Sequence, residues 1–251
     1  MTAIPNFDTW VQRRKPNPYA RLRLFGFPYA GGGVAIFRAW AERLPGDIEV
    51  CAVQLPGRDG RMREGLFTDL PALVEATADG LRPWLNRPYA FFGHSMGALI
   101  AFEVARRLRQ LGEPLPVHLL VSARRAPQIP NPDPLLHRLP EPDFVDQLRW
   151  RYNGIPQAIL TEPELMQLFL PILRADFTVV ETYRYLHQAP LDCPITAFGG
   201  LQDDRVSHAD LEAWQELTRD TCRVHMLSGD HFFLQSAQAQ LLQLVAQHLA
   251  G

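Results

Sequence analysis

Short apolar runs alternate with stretches of helical period along the first half of the chain, and that alternation predicts its elements. Arg21 to Phe27 alternates as a strand does and leads into a glycine-rich loop, Pro28-Tyr29-Ala30-Gly31-Gly32-Gly33. Phe37, Trp40 and Leu44 then recur at helical spacing. Ile48 to Leu55 reads as the next strand, and Leu70 to Leu85 as the next helix. Tyr89-Ala90-Phe91-Phe92 is a continuous apolar run, the pattern of a strand buried on both faces. Leu99 to Leu111 keeps its apolar residues on one side of a helix and Arg106, Arg107, Arg109 and Gln110 on the other. Val117 to Ser122 is a further strand. Strand, helix, strand, helix, strand, helix, strand predicts a mostly parallel central sheet with helices on both faces. Residues 1–20 are polar and contain proline, which predicts a surface arm with a short edge strand near Trp10 and Val11.

The alternation stops at Arg124. From Ala126 to Pro142 the chain is rich in proline, and helical patterns follow with no strand between them, over Glu141 to Tyr152 and over Pro163 to Leu186. Pro171 inside the second predicts a kink. The sheet pattern resumes at Pro194 to Phe198, then a helix over His208 to Thr218, a strand over Cys222 to Leu227 and a last helix to Leu249. The expected organisation is an α/β core from residues 1–125 and 190–251, with residues 126–189 inserted as a helical lid over the sheet edge.

Composition narrows the function. The chain has 251 residues, 47% of them hydrophobic, enough for one α/β domain with an insertion. A formal net charge of −2 argues against a nucleic-acid binder. Cys51, Cys193 and Cys222 are odd in number, far apart and without C-x-x-C spacing, so neither a disulfide framework nor a metal site is expected. The N-terminus lacks the basic and apolar regions of a signal peptide, and no apolar stretch approaches 18 residues. A soluble, cytoplasmic protein without a membrane anchor is the expectation.

The chemistry centres on Gly93-His94-Ser95-Met96-Gly97-Ala98, a G-x-S-x-G element between a strand and a helix. Three fixed positions at about 7% each give roughly 0.1 chance matches in a chain of this size, so the context carries the reading. A serine on a sharp strand-to-helix turn is the nucleophile elbow, with the first helix amides aimed where an oxyanion would form. The glycine cluster after the first strand matches neither G-x-G-x-x-G nor the P-loop pattern, and it reads as the loop supplying a second oxyanion amide. The expected donors are the N–H groups of Met96 and Ala30, with Tyr29 next in line. A serine hydroxyl needs a base, and His231 follows the last strand in a loop at the same sheet edge. His94 is read as facing away from the serine. The base needs a carboxylate, and Asp203 and Asp204 both follow the preceding core strand. Gly200-x-x-Asp203-x-x-Val206 is similar to the acid loop of the α/β-hydrolase family, and that resemblance favours Asp203, leaving Asp204 beside Arg205 at the surface. The order Ser95, Asp203, His231 is that of the α/β-hydrolases.

Phe27-Pro28-Tyr29-Ala30-Gly31-Gly32, Leu55-Pro56-Gly57-Arg58, the elbow and Gly229-Asp230-His231-Phe232-Phe233 together resemble the stand-alone type II thioesterases of nonribosomal peptide and polyketide synthesis. The resemblance runs from about residue 20 to 250 and extends to siderophore-cluster members, that of pyochelin biosynthesis among them. It implies an α/β-hydrolase fold with a helical lid. It also implies hydrolysis of aberrant acyl or aminoacyl thioesters from the phosphopantetheine arm of acyl or peptidyl carrier domains, with no metal or cofactor. A monomer is expected. Two other readings stand beside it: a small-molecule carboxylesterase or lipase, and an inactive hydrolase fold used as a binding module. Carrier domains of this kind tend to be acidic, so Arg58, Arg61, Arg63, Arg124 and Arg125 are expected to border the docking edge.

Overall fold

The structure, a computed structural model, describes residues 9–131, 133–152 and 163–250. Its strands are β1 (Val11–Gln12), β2 (Leu22–Phe27), β3 (Ile48–Val53), β4 (Tyr89–His94), β5 (His118–Ser122), β6 (Ile195–Gly200) and β7 (Cys222–Leu227). They form one sheet in the order β1-β3-β2-β4-β5-β6-β7. Every pairing is parallel except that of β1, a two-residue antiparallel edge on β3. The α-helices are α1 (Trp40–Arg43), α2 (Leu70–Leu81), α3 (Met96–Gln110), α4 (Glu141–Tyr152), α5 (Pro163–Thr182), α6 (His208–Glu212), α7 (Phe233–Ser236) and α8 (Gln238–Leu249). None is long and apolar enough to cross a membrane among the described residues.

Each strand residue faces the opposite side from its neighbours, so a strand buried on both sides feeds two cores. Phe25, Phe27, Cys51, Val53, Tyr89 and Phe91 pack with α2 and α3 on one face. Leu24, Val50, Ala52, Ala90, Phe92 and Leu120 pack with Trp40 and the α8 leucines on the other. Between β5 and β6 the chain carries α4 and α5, which share a third, smaller cluster of Leu136, Phe144, Leu148, Leu170 and Leu173.

Several elements differ from the pattern for local reasons. The helix read through Phe37, Trp40 and Leu44 is a 3-10 turn, Val34–Phe37, followed by the single turn of α1. Leu44 is extended because Pro45 follows it. The helix read to Leu85 leaves α geometry at Leu81, where Pro83 makes the next turn 3-10. The helix over residues 208–218 likewise turns 3-10 at Ala213–Leu217. The longest helix ends at Thr182 rather than Leu186. β6 runs on through Gly199 and Gly200, pairing them with Met226 and Leu227, and so carries the following loop to the sheet edge.

Candidate active site

Ser95 stands between β4 and α3 with φ 54 and ψ −112, a left-handed conformation costly for a residue with a Cβ. The turn is held by a 2.7 Å bond from the Ser95 amide to the Ser122 carbonyl on the neighbouring strand. The flanking glycines are dictated by space. A Cβ on Gly93 would lie 2.2 Å from the Gly97 carbonyl oxygen, and one on Gly97 would lie 2.1 Å from that of Phe27. Any side chain at either place would push α3 off the sheet.

Beyond β7, Gly229 with φ +124 turns the chain so that His231 reaches back over the same edge. The His231 Nε2 is 3.0 Å from Ser95 Oγ, and its Nδ1 is 2.8 Å from Asp203 Oδ2. The Asp203 side chain has no solvent exposure, and its other oxygen accepts from the Arg205 amide at 2.9 Å. Asp204 is 75% exposed and pairs only with Arg205 among the described residues. The loops bearing Asp203 and His231 are stitched together. The Gln202 amide donates to the Gly229 carbonyl at 3.0 Å, and the Gly229 amide donates to Gln202 Oε1 at 2.6 Å. A Cβ on Gly200 would sit 2.5 Å from the carbonyl oxygens of Gly229 and Asp230, so only glycine lets these loops meet.

His94 has a part that its sequence context does not show. It is fully buried, with Nε2 2.9 Å from the His231 carbonyl and Nδ1 2.9 Å from Ser122 Oγ. Burial holds its pKa well below the usual imidazole range; the nearby His231 adds to this and the His231 carbonyl opposes it. A carbonyl only accepts, so the neutral ring donates from Nε2 and accepts the Ser122 hydroxyl at Nδ1. His94 does point away from the serine, and in doing so it fixes the backbone of the residue that faces the serine. The signal for this would have been its two-residue offset from Phe92, which puts it on the same sheet face as His231's approach.

The glycine-rich loop is a turn closed by the Gly32 amide on the Tyr29 carbonyl at 2.8 Å, with φ +75 at Gly31, the signature of a type II turn. Its amides are mostly taken: Gly31 by Asp176 at 2.7 Å and Val34 by Asp59 at 2.9 Å. Among the described residues, neither the Ala30 nor the Met96 amide donates to another group. Both residues line a cavity of about 790 Å³ that also contains Ser95 and His231, walled by Phe169, Leu173 and Phe177 of α5. A second cavity of about 450 Å³ meets it at Ser95, Arg124, Phe177, Val180 and His231, and its lining includes Arg125, Arg151 and Arg205.

Two arginines expected at a docking edge are structural instead. Arg58 is 6% exposed and forks onto Asp176 through Nη1 and Nη2, both at 2.7 Å. Arg61 is buried against the ring of Trp10, donates to the Gln54 carbonyl at 2.9 Å and pairs with Glu64. Reversing either charge would break internal contacts, so such a change reads folding rather than docking. Arg63 is exposed, and Arg124 and Arg125 are half-buried at the site.

The other ionisable groups lie apart. Burial pushes the thiols of Cys51 and Cys193 up to about 12 and that of Cys222 to about 11, so none is a nucleophile at neutral pH. Among the described residues no three His, Cys, Asp or Glu side chains gather as metal ligands would. His118, His225 and His248 form a separate group on the α8 face. His225 Nε2 is 2.8 Å from His248 Nε2, and His118 Nε2 is 2.8 Å from Thr196 Oγ1.

Residues 22–249 match the family model described as a thioesterase domain. The chain is 46% identical over 249 residues to the gramicidin S biosynthesis protein GrsT of Aneurinibacillus migulanus, covering 99% of this chain and 97% of that protein. Among solved structures it is similar to RedJ, the thioesterase from the prodiginine biosynthetic pathway in Streptomyces coelicolor. There the TM-score is 0.88 at 40% identity, covering 95% of this chain and 90% of that one. The type II thioesterase BorB from the borrelidin biosynthetic cluster superposes with a TM-score of 0.85 at 35% identity, over 96% and 97% of the two chains.

Proposed function

The chain belongs to the thioesterase domain family, and from that premise we propose that it is a type II, editing thioesterase. It hydrolyses aberrant acyl or aminoacyl thioesters held on the phosphopantetheine arm of carrier domains in nonribosomal peptide or polyketide synthesis. The observation that carries the reading is the unbroken relay of Asp203, His231 and Ser95, at 2.8 and 3.0 Å, opening on an apolar cavity.

Ser95 Oγ attacks the thioester carbonyl carbon while His231 Nε2 takes its proton. The Asp203 carboxylate keeps the other ring proton on Nδ1 and stabilises the imidazolium. The negative oxygen that develops is held by the Ala30 and Met96 amides. The C–S bond breaks, His231 returns its proton to the departing pantetheine sulfur, and the acyl group stays on Ser95. Water then attacks the ester with His231 as base again, the acid leaves, and Ser95 recovers its proton. Every group this needs comes from one chain, which supports a monomer as the working unit, and no step draws on a cofactor. Residues 126–189 serve as the lid and residues 1–125 and 190–251 as the hydrolase core. The named relatives belong to gramicidin S, prodiginine and borrelidin biosynthesis, which supports the substrate class and does not extend to the pyochelin pathway.

The test is a panel of carrier domains loaded with different acyl and aminoacyl groups, with release followed by mass spectrometry, beside oxygen esters of the same acids. Release from carriers at rates well above those of the esters supports the proposal. Faster turnover of the oxygen esters would mean a carboxylesterase. No turnover and no labelling of Ser95 by a fluorophosphonate would mean a binding module.

A further inference from the structure

The loop that offers the Ala30 amide is not held by the hydrolase core alone. Asp176, on α5, is 2% exposed. Its Oδ2 accepts the Gly31 amide at 2.7 Å and Arg58 Nη1 at 2.7 Å, and its Oδ1 accepts Arg58 Nη2 at 2.7 Å. Arg58 Nη1 also donates to the Gly32 carbonyl at 3.2 Å. One turn earlier on the same helix, Leu173 lies so near Gly31 that a Cβ there would be 2.6 Å from its Cδ2. Phe169, a further turn back, comes within 2.9 Å of the same position, so α5 meets the turn through two apolar side chains and a carboxylate.

The Gly31 amide belongs to the central peptide of the Tyr29–Gly32 turn. That peptide is the one whose orientation differs between type I and type II turns, and it follows directly on Ala30, so a bond to its N–H anchors the turn next to the Ala30 amide. A carboxylate bonded to that N–H selects one orientation. The fork to Arg58 fixes the carboxylate in turn, because a bidentate guanidinium pair restricts both distance and plane.

We infer that Asp176 is a positioning residue for the oxyanion site: it locks the turn that presents the Ala30 amide, and it does so from the inserted helix. The site is therefore complete only while α5 is seated on the loop. Withdrawal of α5 takes away the Gly31 acceptor and the Arg58 partner together, and the hole loses the donor that Ala30 supplies. The inference rests on the reading of Ala30 as an oxyanion donor, which has its own control.

That control is Ala30→Pro. Proline suits the second position of a type II turn and removes only the amide in question. A loss in kcat on the order of 10² to 10³ is expected, the usual effect of deleting one oxyanion donor. The inference itself is tested in a background without the ion pair, so that lid stability is equalised. Arg58→Leu/Asp176→Asn keeps a carbonyl oxygen for the Gly31 amide, and Arg58→Leu/Asp176→Leu does not; Asp176→Ala replaces the leucine if that variant does not fold. Thermal melts establish that both are folded, and kcat and KM are measured on one carrier-bound substrate. The asparagine variant should exceed the leucine variant by about tenfold or more in kcat with KM unchanged within about threefold, since small displacements of a catalytic donor act on rate. Equal kcat in the two variants, with Ala30→Pro impaired, overturns the role of Asp176 and leaves the donor. Full activity in Ala30→Pro removes the donor assignment and the inference with it.

Discussion

Two groups of histidines lie on the same face of the sheet, and they differ in chemistry far more than in composition. His94 and His231 have ring centroids 5.6 Å apart, and His225 and His248 have theirs 5.0 Å apart with His118 nearby. Both groups touch a hydroxyl on a neighbouring strand, Ser122 in one and Thr196 in the other. β5 even carries a member or partner of each, His118 at its first residue and Ser122 at its last. What separates them is a carboxylate and a strand polarity. His231 has the dry Asp203 on one nitrogen and a serine on the other, in loops that leave the carboxyl ends of parallel strands. The second group shares its hydrogen bonds between imidazoles, and burial lowers the pKa of all three rings. Proximity of histidines therefore makes no site; an ordered acid and a nucleophile on opposite nitrogens do.

The largest effect should come from removing the proposed nucleophile. Ser95→Ala is expected to lower kcat by a factor on the order of 10⁶, as loss of the serine does in comparable hydrolases, with stability changed by about 0.5 kcal/mol or less. Activity within tenfold of the parent enzyme would erase the distinction between the two groups. Asp203→Asn should lower kcat by about 10² to 10⁴, through loss of the charge that fixes the His231 tautomer. Asp204→Asn, on an exposed side chain, should change it by less than about threefold. The reverse ranking, measured on one carrier-bound substrate, would move the acid.

A smaller effect is expected at His94. His94→Phe fills the space but leaves the Ser122 hydroxyl and the His231 carbonyl unpartnered, at a cost of about 1–3 kcal/mol in stability. It should lower kcat by about tenfold by loosening His231. His94→Gln, which can both donate and accept, should recover most of each loss; equal damage from the two variants would show that shape alone matters there.

The second histidine group should touch stability and not turnover. His225→Gln and His248→Gln are expected to leave kcat within about twofold. Burial, with His248 and Arg223 adding to it and Asp220 opposing, lowers the pKa of His118 to about 4. A group depressed in the folded state contributes stability that is whole above its unfolded pKa, roughly 6.5, and is lost as pH falls toward the folded value. For His118 the loss between those limits is about 3 kcal/mol. Melting curves from pH 7 to pH 4 should show that decline, with a shallower slope in His118→Asn. An unchanged slope would mean that another group carries the acid sensitivity.

The frame of the molecule could be read because its signals are local. Alternation marked β2, apolar runs marked β3 and β4, and G-x-S-x-G with its strand and helix marked Ser95. Asp203 and Asp204 could be told apart because a short stretch, Gly200 to Val206, resembles the acid loop of the hydrolase family. Residues whose roles depend on distant partners stayed hidden. Arg58 looks like a surface arginine until Asp176, 118 residues further on, is folded against it. His94 looks idle until His231, 137 residues away, brings its carbonyl to the ring. Helix ends were misplaced where Pro45 and Pro83 act, since the pattern of apolar residues continues past the point where the backbone can no longer follow.

The longest helix belongs to two cores at once. Leu170 and Leu173 of α5 pack in the small cluster with α4, while Val179, further along, is part of the large core under the sheet. A cluster of five buried residues holds far less free energy than the sheet beside it, so hydrogen exchange should proceed in two cooperative steps. The amides of α4 and of the first half of α5 would exchange through a subglobal opening, and those of β4 and β5 only through global unfolding. The boundary between the two regimes falls within α5, near Asp176. The protein would then have a partly melted state, reached without loss of the fold, in which the serine and histidine remain paired but the enzyme is switched off.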